Sequence, residues 1–310
     1  YYQTWRETKH ATVMERGFRG ELGPDYGYAC WKCHALGSGG RAALAKGFDR
    51  AFAEGLAHAG KTGVLKALDP PDETKGFAGV QCEHCHGPGR FWTGFASDVC
   101  AQCHDAPPKY SLYQAWQERN RDTVDAPAKS ARVCSACHTA QGFAQVAPLW
   151  GDSEAPAIDN DARSPHACLA CHDPHNKTVD GQVRIVAGSQ APPQADCSQV
   201  CVACHSGPSG DEAFATRASP HAGAVADILN ARAGYRGDKV PHQGVPKLCV
   251  GCHMGQSLRP GDKGHALWAR PKEVPASALA VCVACHGAKG PPHAPDLKQV
   301  LLTARARLDA

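Results

Sequence analysis

The chain has 310 residues, with 33 basic and 30 acidic side chains and a formal net charge of +3. This weak charge, without a basic run, excludes the electrostatic pattern of a nucleic-acid-binding protein. No apolar run reaches the roughly 18 residues of a membrane-spanning helix. Because 17 cysteines and 17 histidines accompany only 7% aromatic residues, the composition disfavours a large aliphatic or aromatic core. The cysteines and histidines therefore have to be explained first.

Eight C-x-x-C-H motifs recur along the chain and use sixteen of its seventeen cysteines. In chain order, motifs I to VIII lie at 30–34, 82–86, 100–104, 134–138, 168–172, 201–205, 249–253 and 282–286. Zinc sites and disulfides also use paired cysteines, but neither requires a histidine after every second cysteine. The pattern is typical of covalent haem attachment, so we expect eight haem c groups.

The chemistry of attachment explains the spacing. Two cysteines one helical turn apart form thioether bonds to the two vinyl groups of one porphyrin, and the next histidine binds the iron. The predicted thioether residues are Cys30, Cys33, Cys82, Cys85, Cys100, Cys103, Cys134, Cys137, Cys168, Cys171, Cys201, Cys204, Cys249, Cys252, Cys282 and Cys285. The predicted proximal ligands are His34, His86, His104, His138, His172, His205, His253 and His286.

Nine further histidines remain, and six of them are followed directly by alanine. A small neighbour leaves room for a porphyrin face, and the alternative is a solvent-facing side chain. Two others follow proline and lie on stiffened backbone. We predict that these eight are distal iron ligands: His10, His58, His166, His175, His221, His242, His265 and His293.

His84 is the ninth histidine and lies between the two cysteines of motif II. It is tethered to the proximal side of its own haem, so we expect a role other than ligation of that iron. If it binds a neighbouring haem, His58 becomes the spare histidine. Met14 and Met254 are expected to be packing residues. Cys197 lies outside every motif and is expected to be a buried free thiol, with an intermolecular disulfide as the alternative.

The predicted fold class is mainly α with extensive loops, little regular secondary structure and a core of stacked haems. Helices are predicted at 41–58, 111–120, 221–233 and 295–308, and a small strand pair at 180–187. The interpretation is a single octahaem unit over residues 1–310. A turn-rich segment at 147–165 is either a boundary between two four-haem halves or one long surface loop.

The motifs CEHCHGPG, CAQCHDAPP and CHDPH, two SPHA sites and the opening W-x-x-T-K-H-A resemble the multihaem cytochrome c superfamily. That group includes the tetrahaem electron carrier of ammonia oxidisers, pentahaem nitrite reductase and octahaem hydroxylamine oxidoreductase. The chain lacks the C-x-x-C-K motif with which pentahaem nitrite reductase and its octahaem relatives anchor a catalytic haem. Similar multihaem chains also polymerise into extracellular conductive filaments.

The ligand count favours an electron carrier over an enzyme, because eight distal candidates are enough to close every iron. The alternative is an oxidoreductase that acts on a nitrogen or sulfur oxyanion at one five-coordinate haem. Covalent haem attachment takes place outside the cytoplasmic membrane, so we expect a periplasmic or extracellular protein whose signal peptide has been removed. The expected partners are redox proteins or extracellular acceptors. A head-to-tail filament of the chain itself, with His10 or His293 donated between subunits, is a further hypothesis.

Overall fold

Short α-helices carry nearly all the regular structure of the part of the chain that can be described. The computed structural model describes residues 1–38, 47–58, 74, 76–87, 97–106, 110–120, 139–140, 142–143, 167–177, 180–184, 196–205, 226, 242, 247–254, 261, 263–267 and 280–287. Within these residues no strand forms, and two isolated antiparallel bridges join Ala35 to Ala78 and His172 to Val183. The predicted mainly α, loop-rich class is therefore confirmed.

Eleven helices are named in chain order within the described ranges. They are α1 (Tyr2–Trp5), α2 (Lys9–Phe18), α3 (Tyr28–His34), α4 (Phe48–His58), α5 (Cys82–His86), α6 (Asp98–His104), α7 (Leu112–Asn120), α8 (Cys168–Cys171), α9 (Gln199–His205), α10 (Leu248–His253) and α11 (Ala280–His286). Two single turns of 3-10 helix lie at Asp180–Gln182 and Asp196–Ser198. Among these helices, none is long and apolar enough to cross a membrane.

The predicted helices agree with the structure where it describes them. The helix predicted at 41–58 is present from Phe48 to its end, and the helix predicted at 111–120 begins at Leu112. The predicted helix at 295–308 lies outside the described residues, as does that at 221–233 apart from the helical Ala226. The same is true of the proposed boundary at 147–165.

The strand pair predicted at 180–187 is wrong over the described residues 180–184. Asp180–Gln182 forms a 3-10 turn in which Gly181 has φ of 74° and Gln182 has φ of 54°. Extended backbone needs negative φ, so two consecutive residues in the left-handed region end any strand there. Val183 keeps only the single bridge to His172.

Two small apolar clusters form the core of the described residues. The first joins α2, α3 and α4 through Met14, Trp31, Ala35 and Phe48, with Phe18, Tyr26, Cys30, Phe52, Phe77 and Ala78 packed around them. The second joins α8 and α9 through Phe143, Ala170 and Val200. Motif cysteines belong to both clusters, so the polypeptide packs most closely where the motifs are.

The N-terminal helix α2 is fixed against the segment that precedes α5. The Thr8 hydroxyl accepts the N–H of Ala11 at 3.2 Å and caps the helix. The Trp5 indole N–H donates to the carbonyl of Val80 at 3.2 Å, and the N–H of Val80 donates to the carbonyl of His10 at 2.9 Å. These bonds place His10, the second residue of α2, beside motif II.

Gly79 makes this close approach possible. Its φ is +85°, and a Cβ there would lie 2.2 Å from the carbonyl oxygen of Ala11. We expect Gly79→Ala to lower the free energy of unfolding by about 3 kcal/mol, because left-handed strain and a backbone clash add together. Chemical denaturation of the haem-loaded protein measures this change.

Gly20 is the matched control for this substitution. Its φ is +78°, but a Cβ there would meet nothing within 4 Å. Gly20→Ala should therefore cost only the left-handed strain of about 1 kcal/mol. Equal losses for both variants would contradict the packing of α2 against the segment before α5.

Candidate haem-binding sites

Seven of the eight C-x-x-C-H motifs lie in the described residues, and each forms a short helix. The helices are α3, α5, α6, α8, α9, α10 and α11. Six of them include the histidine of the motif, and His172 caps the end of α8 with its N–H bonded to the carbonyl of Cys168 at 2.9 Å. This local structure places both cysteines within one turn and the histidine directly after them, as thioether attachment and axial ligation require. Motif IV, with Cys134, Cys137 and His138, lies outside the described residues.

Four predicted proximal histidines each face one predicted distal histidine. The ring centroids of His104 and His10 are 5.9 Å apart, and those of His86 and His175 are 6.1 Å apart. The ring centroids of His172 and His265 are 6.1 Å apart, and those of His286 and His242 are 6.0 Å apart. No histidine is used twice.

These separations test whether the residues fit a haem iron. Imidazole nitrogens bind metal ions at about 2 Å, so two rings on opposite sides of one metal have centroids about 6 Å apart. The four observed separations lie at this value. The histidine pairs therefore fit an iron with one axial imidazole from the motif helix and one from a distant segment.

Burial keeps several of these imidazoles neutral, which is the form that binds a metal. Burial lowers the pKa of His104 to about 4, with the neighbouring His10 contributing. The pKa values of His10 and His172 are also lowered, and burial is again the main cause.

The outer ring nitrogens of the proximal histidines have different partners. Nδ1 of His172 lies 2.8 Å from the carbonyl oxygen of Gly181, and Nδ1 of His253 lies 3.2 Å from that of Leu267. Nδ1 of His34 lies 3.2 Å from the hydroxyl of Tyr26. Nδ1 of His86 is buried without a hydrogen-bond partner among the described residues. Such contacts fix the tautomer of a ligand and change its basicity.

His84 has a structural contact that the sequence did not indicate. Its Nδ1 accepts the N–H of Gln81 at 3.0 Å, at the first turn of α5, and its ring lies beside the backbone of Ala35. His84 thus joins the start of motif II to the residue that follows motif I. Its role as a non-ligand remains a prediction.

The other predicted distal residues are only partly visible. His58 ends α4, and its side chain lies outside the described atoms, whereas His166, His221 and His293 lie outside the described residues altogether. Met14 is fully buried in the first apolar cluster, as expected for a packing residue, and its sulfur accepts a hydrogen bond from the Tyr26 hydroxyl. Cys197 forms no disulfide within the described residues and is half-buried, not fully buried as predicted.

Thiols of different motifs also contact each other. The side chain of Cys33 lies beside that of Cys103, that of Cys100 beside Cys168, and that of Cys201 beside Cys249. Helix α5 packs against α6, and α10 packs against α11. Since α8 and α9 share the second apolar cluster, the seven described motif helices form one continuous series.

Two serines that the sequence analysis did not single out connect motif helices of this series in the same way, through a hydroxyl that accepts a hydrogen bond from a backbone N–H. The Ser97 hydroxyl accepts the N–H of Cys168 at 3.0 Å, and the Ser198 hydroxyl accepts the N–H of Val250 at 3.2 Å. Each serine lies three residues before the first cysteine of its motif, in SDVCAQCH and SQVCVACH. This shared S-x-x-C-x-x-C-H pattern was a signal that the sequence offered.

A chain of motif helices with paired imidazoles defines a protein that holds several haem groups covalently. A family model described as a doubled CXXCH motif matches residues 161–218, and one described as cytochrome c554 and c-prime matches residues 200–287. No curated protein and no solved structure matches the chain. The chain is a multihaem c-type cytochrome that binds haem c covalently, and the chemistry of this class is electron transfer.

The ring angles predict different electron paramagnetic resonance (EPR) signals for different haems. The imidazole planes of His10 and His104 meet at 77°, whereas those of His86 and His175 meet at 18° and those of His172 and His265 at 16°. Near-perpendicular rings leave two iron d orbitals close in energy and give a highly anisotropic low-spin signal, whereas near-parallel rings give a rhombic one. We expect both kinds in the ferric protein, and His10→Ala should remove an anisotropic signal.

His175→Ala is the matched control, since it should remove a rhombic signal instead. Each variant should also produce one high-spin haem in the visible spectrum. A His10→Ala protein with an unchanged spectrum would contradict the pairing of His10 with His104.

His84 offers a separate test. We expect His84→Ala to leave every haem low-spin and to lower the free energy of unfolding by about 1 kcal/mol, because the N–H of Gln81 loses its acceptor. His84→Asn should restore much of this stability, since its amide oxygen can replace Nδ1. Appearance of one high-spin haem in His84→Ala would instead identify His84 as an iron ligand.

Proposed function

We propose that the chain is an octahaem electron-transfer protein in which every iron carries two histidines. The observation that carries the proposal is the set of four imidazole pairs at 5.9 to 6.1 Å. An iron with two protein ligands has no open position for a substrate, so it can only accept and donate electrons. Eight motifs in the sequence support the count of eight haems.

The contacts between motif helices support a continuous electron path. Cysteine contacts connect motif I to motif III and motif III to motif V. Motif V packs on motif VI through Ala170 and Val200, and motif VI contacts motif VII through Cys201 and Cys249. Because each porphyrin is bonded to its own cysteines, neighbouring cysteines bring the edges of neighbouring porphyrins together. Through the seven described motifs, the proposed path therefore runs I–III–V–VI–VII–VIII, with motif II joined at motif III.

This path uses the polypeptide mainly as a positioning device. Few large side chains are fully buried in the described residues, and Phe48, Met14 and Val202 are the main ones. We propose that the porphyrins fill the remaining interior. The haem supplies the reversible one-electron change of its iron, while the chain holds the irons in order and keeps substrates from them.

The protein is proposed to act outside the cytoplasmic membrane, because thioether attachment takes place there. Its partners are then other redox proteins or an extracellular electron acceptor. The filament hypothesis needs a ligand that passes between subunits. In this single chain His10 faces His104 of the same chain, so His10 has a place within a compact monomer.

The competing function is an oxidoreductase with one five-coordinate haem. The two hypotheses differ in ligand binding, since an open iron takes up cyanide or nitrite and a closed iron does not. We expect the oxidised protein to be low-spin throughout, with a visible spectrum that does not change on addition of either anion. The His175→Ala variant, which opens one iron by design, is the positive control and should bind about one cyanide.

A stoichiometric high-spin haem in the unmodified protein would favour the enzyme. Its position can then be found by comparison with single variants of the predicted distal histidines. Electron microscopy of the concentrated protein tests the filament independently, because a carrier that remains monomeric shows no fibres.

A further inference from the structure

The segment CHDPH at 171–175 belongs to two haem sites at once. His172 faces His265, and His175 faces His86, with near-parallel rings in both pairs. Only two residues separate these histidines, so the backbone between them sets the position of an axial ligand at each of two irons. Asp173 and Pro174 are those two residues.

Asp173 is the residue that orders this backbone. Its Oδ1 accepts the N–H of His175 at 3.0 Å, which closes a tight turn through Pro174. The same oxygen lies 3.5 Å from Nδ1 of His175. A carboxylate at this place attracts the proton to Nδ1 and leaves Nε2 free for a metal, as carboxylate–histidine pairs do at metal sites.

Arg184 holds the carboxylate in place. Its Nη1 lies 3.5 Å from Oδ2 of Asp173, and its Nε donates to the carbonyl of Leu169 at 2.7 Å. The Arg184 side chain is 10% exposed and that of Asp173 is 21% exposed, so the pair is largely shielded from water. Arg184 therefore connects the ligand turn to helix α8, which carries the cysteines of motif V.

Gln182 fixes the other side of the turn. Its amide nitrogen lies within 3.0 to 3.3 Å of the carbonyl oxygens of Asp173, Pro174 and Asn176. Gly181, directly before it, presents its carbonyl to Nδ1 of His172 at 2.8 Å. The loop at 181–184 thus contacts both histidines of the segment, one directly and one through Asp173.

The two ligands of the His86–His175 site differ in their outer contacts. Nδ1 of His86 has no hydrogen-bond partner among the described residues, whereas Nδ1 of His175 faces a carboxylate. Of these two ligands, only His175 therefore has a carboxylate at its outer ring nitrogen. Negative charge favours the ferric state, because that state carries one more positive charge than the ferrous state.

We propose that Asp173, held by Arg184, is the positioning residue of the His86–His175 haem, where it orients His175 and lowers the reduction potential. The inference rests on the proposed function, since it takes His175 as an iron ligand. Asp173 does not touch the iron and acts only through His175.

The experiment compares Asp173→Asn and Asp173→Ala in the haem-loaded protein. Asparagine keeps the acceptor for the N–H of His175 and removes the charge. All haems should then remain low-spin, while the potential of one haem rises in a redox titration followed by EPR. Alanine removes both functions, so a fraction of one haem should become high-spin.

Asp105→Asn is the matched control. Asp105 also follows a proximal histidine directly, but its carboxylate accepts the N–H of Gln114 at 3.3 Å. Asp105→Asn removes one negative charge directly after a proximal histidine, as Asp173→Asn does. Asp105→Asn should leave the potential of the His86–His175 haem unchanged, and that haem is identified by the rhombic signal lost in His175→Ala.

The possible outcomes are distinct. If Asp173→Asn shifts no haem more than Asp105→Asn does, and Asp173→Ala remains fully low-spin, the positioning role is wrong. If His175→Ala itself produces no high-spin haem, the ligand assignment in the proposed function is wrong instead. A raised potential in Asp173→Asn, with a smaller rise in Arg184→Lys, supports the proposal.

Discussion

Two imidazoles that face each other across about 6 Å are the interaction on which the described structure depends. One ring of each pair is attached to a motif helix, and the other arrives from a distant part of the chain. Three of the four pairs join residues about 90 positions apart, so each closes a long loop whose entropic cost must be met. Within the described residues, the two apolar clusters are too small to meet it alone. Under the proposed ligation, coordination of iron would therefore be a folding interaction here as well as a functional one.

This dependence explains why the motif helices of the described residues are so short. A helix of five to seven residues is not stable alone in water, because nucleation is costly and few hydrogen bonds repay it. Two of the motif helices, α8 and α10, are fixed at their start by a serine hydroxyl from another motif segment. Ser97 accepts the N–H of Cys168, and Ser198 accepts that of Val250. These bonds join motifs that are far apart in sequence.

The sequence was sufficient to predict the local structure of the five-residue C-x-x-C-H motifs, where covalent attachment fixes the spacing. Each described motif forms the expected turn, and the histidine follows it, because thioether spacing allows no other arrangement. The presence of alanine after His10 and His265, and of proline before His175 and His242, identified the four histidines that the structure brings to a partner. Which partner each one meets depends on long-range packing and has no local signal. The strand pair predicted at 180–187 was wrong over the described residues 180–184, since Gln182 turns back to bind the carbonyls of the ligand segment.

Irons that all have histidine ligands can still differ in reduction potential, because the Nδ1 atoms of those histidines have different hydrogen-bond partners. Nδ1 contacts a backbone carbonyl at His172 and His253, a tyrosine hydroxyl at His34, a carboxylate at His175, and no described group at His86. A stronger acceptor makes the imidazole a better donor to iron and stabilises the ferric state. The Tyr26 hydroxyl is a weaker acceptor than a carboxylate, because it is neutral and its own proton points to the Met14 sulfur. Under the proposed ligation, irons with identical axial ligands would therefore differ in reduction potential along the series, and the residues that cause the difference would be ones that never touch a metal.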